Sequence, residues 1–84
     1  MNDLVVLYTD DWEALFVNCD KVIETREVSI SEIRKYCPIN SIKAIWVSDF
    51  FERWILDVNG SHFPETLDLC FEIDPPLKEE LSLY

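Results

Sequence analysis

Residues 4–8 (LVVLY) are apolar without interruption, a pattern that suits a strand covered on both faces, and Thr9-Asp10-Asp11 follows with turn residues. Residues 12–17 (WEALFV) and 21–25 (KVIET) flank Asn18-Cys19-Asp20, which predicts a meander of two or three strands joined by tight turns. The second turn lacks the Asn-Gly pair that most strongly marks a type I′ hairpin, so its geometry is left open.

Ser29 and Glu32 stand at capping-box spacing, and Ile30, Ile33 and Cys37 recur at i, i+3 and i+7. Together they predict a short helix over 30–36, ended by Pro38. Residues 42–47 (IKAIWV) return to β-branched and aromatic types and read as a fourth strand. Asp49 and Glu52 repeat the capping spacing. Phe50, Phe51, Trp54, Ile55 and Val58 then form a helical apolar stripe, with Asn59-Gly60 as its left-handed close. Beyond the loop 61–64, residues 67–74 alternate strictly, with Leu67, Leu69, Phe71 and Ile73 opposed to Asp68, Cys70, Glu72 and Asp74. That alternation predicts a half-buried strand with an acidic outer face, broken by Pro75-Pro76. In the tail, Leu77, Leu81 and Tyr84 keep helical spacing, so residues 76–84 form either a short docked helix or a frayed end. The expected fold is one α+β domain over 1–84: a mostly antiparallel sheet of four to five strands with two short helices.

Composition makes a folded domain secure. Of 84 residues, 49% are hydrophobic, with three Trp, five Phe and three Tyr, well above the level that leaves a charged chain disordered. Charge then narrows the partners. Seventeen acids against seven Lys and Arg give a net charge of −10, which repels nucleic acid and anionic lipid and steers the protein toward basic surfaces. The acids are segregated. Residues 1–20 carry five acids and no base, 21–48 three acids and five bases, and 49–84 nine acids and two bases. On the expected last strand, Glu72 and Asp74 would stand about 6–7 Å apart, on the order of the phosphate spacing in DNA.

Candidate chemistry is sparse. His62 and Cys70 can be drawn as base and nucleophile, but nothing nearby activates the thiol. Asp10, Asp11 and Glu13 lack the glycine and alternate-position ligands of a calcium loop and read as a turn. No Cys/His pair has zinc spacing, and Gly60, the sole glycine, cannot make a phosphate cradle. No catalytic residue, metal or cofactor is expected. Trp46 and Trp54 fall on core-facing patterns, whereas Trp12, beside Asp10 and Asp11, suits a partly exposed interface anchor. Arg34, Lys35 and Lys43 are expected to be solvated or paired. Three widely spaced cysteines, a start without basic residues and the lack of a long apolar stretch fit a cytoplasmic protein with reduced thiols.

The resulting expectation is a small cytoplasmic binding protein that inhibits a nucleic-acid-binding enzyme by presenting carboxylates in place of phosphates. Anti-restriction and anti-CRISPR inhibitors of phages or mobile elements are of this type. Its partner would be a basic protein surface, with no direct contact to nucleic acid or membrane, and the oligomeric state is left open. The expected contact residues are Asp10, Asp11, Trp12, Glu13, Asp68, Glu72 and Asp74. One alternative is an immunity or antitoxin protein that neutralises a single basic toxin; another is an accessory protein of unassigned partner. The mimic reading requires the acidic ends of the chain to share a face.

Overall fold

A computed structural model describes residues 1–82. Four strands, β1 (Asn2–Tyr8), β2 (Glu13–Val17), β3 (Asp20–Thr25) and β4 (Ile39–Trp46), form one sheet in the order β3-β2-β1-β4. Helix α1 (Ile30–Arg34) lies between β3 and β4, and α2 (Asp49–Asp57), α3 (Leu67–Ile73) and α4 (Pro75–Ser82) follow the last strand. The chain is therefore α+β, but the sheet is mixed: β1 pairs antiparallel with β2 and parallel with β4. The direction of β4 follows from the chain path. After two reversals β3 runs the same way as β1, and a helix-containing crossover through residues 26–38 returns the chain in that same direction.

Two cores sandwich the sheet and explain why the 4–8 run is apolar throughout. Leu4 and Val6 face α1 together with Leu15 and Val17, and half-buried Val28, Ile33 and Tyr36 cover them. Val5 and Leu7 face the opposite way, into a larger core with Phe16, Phe51, Phe63 and Leu67. Ser29 caps α1 as its spacing predicts, accepting from the Glu32 N–H, although the helix ends at Arg34 rather than residue 36. In α2 the cap is Ser48, whose hydroxyl accepts from Phe51, and Asp49 is already helical. Gly60, at φ +60°, helps turn the chain after α2, and the Ser61 N–H reaches back to the Ile55 carbonyl at 2.9 Å.

Residues 67–73 are helical, which overturns the expected strand. Thr66 supplies the reason, since its hydroxyl accepts from the Leu69 N–H and starts the turn. The core then selects Leu67, Cys70 and Phe71 at i, i+3 and i+4. Cys70, assigned to the outer face of a strand, is fully buried, while Leu69 is 44% exposed. Pro75-Pro76 does not break the chain but opens α4, where a missing N–H costs nothing. Leu77 anchors that helix in the core and Leu81 packs against it; Tyr84 lies outside the described residues. Trp46 also departs from expectation. It sits on edge strand β4, edge-on to Tyr8 at 5.1 Å, and remains 48% exposed.

The β2–β3 turn places Asn18 and Cys19 at φ +49° and +76°, the double positive φ that a type I′ loop requires. A cysteine in that region carries a steric penalty of about 1–2 kcal/mol that glycine avoids. Cys19→Gly is therefore expected to stabilise the domain by about 1 kcal/mol, raising the melting midpoint by about 4–8 °C for a chain of this size. An unchanged or lower midpoint would contradict the assignment.

Candidate partner-binding site

Among the hydrogen bonds of the described residues, those of the Glu24 carboxylate join the most partners. Its Oε1 accepts from Lys21 Nζ at 2.9 Å and from the Phe63 backbone N–H at 2.8 Å. Its Oε2 accepts from Trp12 Nε1 at 2.7 Å and faces His62 Nδ1 at 2.8 Å. An ionised carboxylate only accepts, so the His62 proton is on Nδ1. Lys21 extends the junction by donating to the Phe63 carbonyl at 2.8 Å and pairing with Glu65 at 3.3 Å. Glu24 thus ties the 9–12 loop, β3 and the 59–65 loop together.

A break in strand register makes this possible. Residues three apart in a regular strand point to opposite faces. Between Leu15 and Phe16 the β2–β3 register shifts, so Lys21 pairs with Phe16 while Glu24 pairs with Ala14. The extra residue brings Lys21 and Glu24 onto the face that carries Ala14 and Phe16. There both side chains are close to fully covered, at 11% and 9% exposed. The next segment docks on the same edge through Lys21 N–H to the Glu65 carbonyl and Leu67 N–H to the Cys19 carbonyl, at 2.8 and 2.9 Å.

Burial alone would raise the Glu24 pKa, but the hydrogen bonds from Lys21, Trp12, His62 and Phe63 together outweigh it and lower the pKa from its usual 4.5 to about 2. The carboxylate is saturated and fixed as an anion, a positioning group with no acceptor capacity to spare for a ligand. Cys70 has the opposite character. It is buried against the sheet and desolvation pushes its thiol up to about 12, so the Cys70–His62 pairing has no thiolate to offer at neutral pH. Among the described residues no group of three or more His, Cys, Asp or Glu is placed to hold a metal.

Around this junction run shallow grooves that share residues. One of about 400 Å³ lies between the 9–12 loop and the end of α2, lined by Asp11, Trp12, Glu52, Leu56, His62 and Phe63 among others. A second, of about 530 Å³, continues past His62 and Phe63 to Glu65, Leu69 and Glu72 on α3. A third joins the first at Asp11 and holds Asp10, Glu13, Arg26 and Glu27. The acidic start of the chain and part of its acidic end therefore border one continuous band.

The expected contact residues divide over this geometry. Asp10, Asp11, Trp12 and Glu72 line the band. Glu13 also lines it, but its carboxylate accepts from the Val28 N–H at 2.9 Å and holds the approach to α1. Asp68 is exposed on α3, one turn before Glu72, where residues four apart stand about 5–6 Å from each other. Asp74 accepts from Ser48 Oγ at 3.1 Å and links α3 to the start of α2, so it does not continue an acidic row from Glu72. Glu24, His62, Glu52 and Glu65 are site residues that sequence reasoning misses. Glu24 and His62 are 38 residues apart and meet only in the fold. No helix among the described residues is long and apolar enough to cross a membrane. Comparison with known protein families, curated proteins and solved structures finds no match to this chain, so what the band can do is read from its own residues.

Because the folded pKa of Glu24 is depressed, its contribution to stability is complete above about pH 5 and is lost as pH falls toward 2. The shift corresponds to about 3 kcal/mol. Glu24→Gln is expected to lose about that much at pH 7, and its stability should approach that of the parent near pH 2. Denaturant titrations across this range check it, and parallel curves for the two proteins would contradict it.

Proposed function

We propose that the protein is a small acidic binding protein whose groove band docks on a basic protein surface, and that this surface is the nucleic-acid site of an enzyme, which it inhibits by occupying it. The continuity of the band carries this reading. Acids from the 9–12 loop, α2, the 59–65 loop and α3 border grooves that share Asp11, His62 and Phe63, so carboxylates distant in sequence act on one partner at once. Against a net charge of −10, Arg26 is the one lysine or arginine among the described residues lining these three grooves. Such a field accelerates encounter with a cationic cleft and makes binding salt-sensitive. The carboxylates reproduce charge, not the regular pitch of a phosphate backbone, since the Glu72 and Asp74 row is absent.

One observation favours a second reading. Apolar side chains, Trp12, Leu56, Phe63, Trp54 and Ile73, line much of the two larger grooves, and a phosphate mimic needs charge alone. An apolar lining beside acidic groups also suits a neutraliser dedicated to one basic toxin, with hydrophobic anchors supplying selectivity.

Immobilised protein incubated with lysate of its native host at low salt should retain a DNA- or RNA-binding enzyme. Added nucleic acid should displace that enzyme, and rising salt should weaken its retention steeply. Retention of a basic protein that nucleic acid fails to displace would overturn mimicry in favour of the dedicated neutraliser. Retention of no basic protein would overturn both.

A further inference from the structure

Within the band, the groove between the 9–12 loop and the end of α2 is more than an acidic depression. Trp12 is 37% exposed and lines this groove, and its indole N–H is fixed on Glu24, so one wall is an indole held in a single orientation. Leu56 and Phe63 add apolar surface beside it. Asp11 and Glu52 bring two carboxylates into the same groove, and neither carboxylate has a donor among the described residues. Glu24 itself is saturated, which leaves Asp11 and Glu52 as the carboxylates open to whatever enters.

An aromatic wall, apolar surface beside it and two unengaged carboxylates make complementary demands on an occupant. It must be cationic, carry an apolar stem and present a flat face to an indole. A guanidinium on three methylenes meets all three, because it stacks on aromatic rings and donates to carboxylates in a fork geometry. An ammonium is more strongly hydrated and has no plane to stack.

We propose that this groove is a recognition site for an arginine side chain of the basic partner, with Trp12 as the stacking wall and Asp11 and Glu52 as the guanidinium acceptors. The partner being basic rests on the reading above; the arginine site is tested without that partner. His62 is the neighbouring wall and marks where the partner chain would continue toward Glu65 and Glu72.

The test uses an acetylated Ala/Gly heptapeptide with one central arginine, and its lysine and citrulline counterparts, titrated into the labelled full chain. The three tryptophan indole N–H signals are followed by NMR. The arginine peptide should shift the Trp12 indole saturably and leave the Trp46 indole in place. The lysine peptide should bind several-fold more weakly and the citrulline peptide should not saturate. The double variant D11N/E52Q should weaken arginine binding by about tenfold, as loss of charge-assisted hydrogen bonds requires. D20N/E80Q, which removes the same charge from exposed positions elsewhere, should change it less than twofold. Equal losses in the two variants, or no saturable shift at Trp12, would overturn the proposal. If the arginine site fails while a basic enzyme is still captured, the binding function stands without it. If the peptide saturates Trp12 and no enzyme is captured, the site stands and the inhibitor reading falls.

Discussion

One carboxylate holds together the parts of this molecule that hydrophobic burial leaves loose. The sheet and α2 need no such help, because Leu7, Phe16 and Phe51 are buried outright between them. The 9–12 and 59–65 loops expose much of their surface and contribute few large core residues besides Phe63. Their relative position is set by Glu24, which receives a lysine, an indole, an imidazole and a backbone amide at 2.7–2.9 Å. A carboxylate this covered is stable as an anion only while those donors remain, so the loops and the charge stabilise each other.

That junction depends on an irregularity in the sheet. Without the extra residue in β3, Lys21 and Glu24 would fall on opposite faces, one of them beneath α1, and the 59–65 loop would lose its dock. The left-handed turn at Asn18 and Cys19 lies just upstream and offers its carbonyl to Leu67, the first residue of α3. Strand register, loop position and helix start are thus linked in sequence, and the groove band is their surface consequence.

The parts of the fold visible in the sequence are those with one dominant periodicity. The continuous run at 4–8 marks a strand buried on both faces, Ser29 marks the start of α1, and the stripe from Phe51 to Ile55 marks α2. Residues 67–74 satisfy two periodicities at once, since Leu67, Leu69, Phe71 and Ile73 fit a strand as well as Leu67, Cys70 and Phe71 fit a helix. The Thr66 cap decides between them, and a lone Thr next to Glu65 is a faint signal. The direction of β4 is not legible in the sequence because it depends on the whole path through α1. For the site, the exposed acids of the 9–12 loop and Trp12 are visible as a cluster of like residues. Glu24 and His62 are not, because an isolated Glu in a strand and a loop His carry no spacing signature until the bulge and the fold bring them together.

Glu24 locks the 59–65 loop to β3 as part of the cooperative structure. Native-state hydrogen exchange at the Phe63 amide tests that lock most directly, since that N–H donates to the Glu24 side chain itself. Phe63 should then exchange with an opening free energy close to that of amides in β1 and β2, and Glu24→Gln should bring it down to that of a surface loop. Fast, loop-like exchange at Phe63 in the parent protein would contradict it.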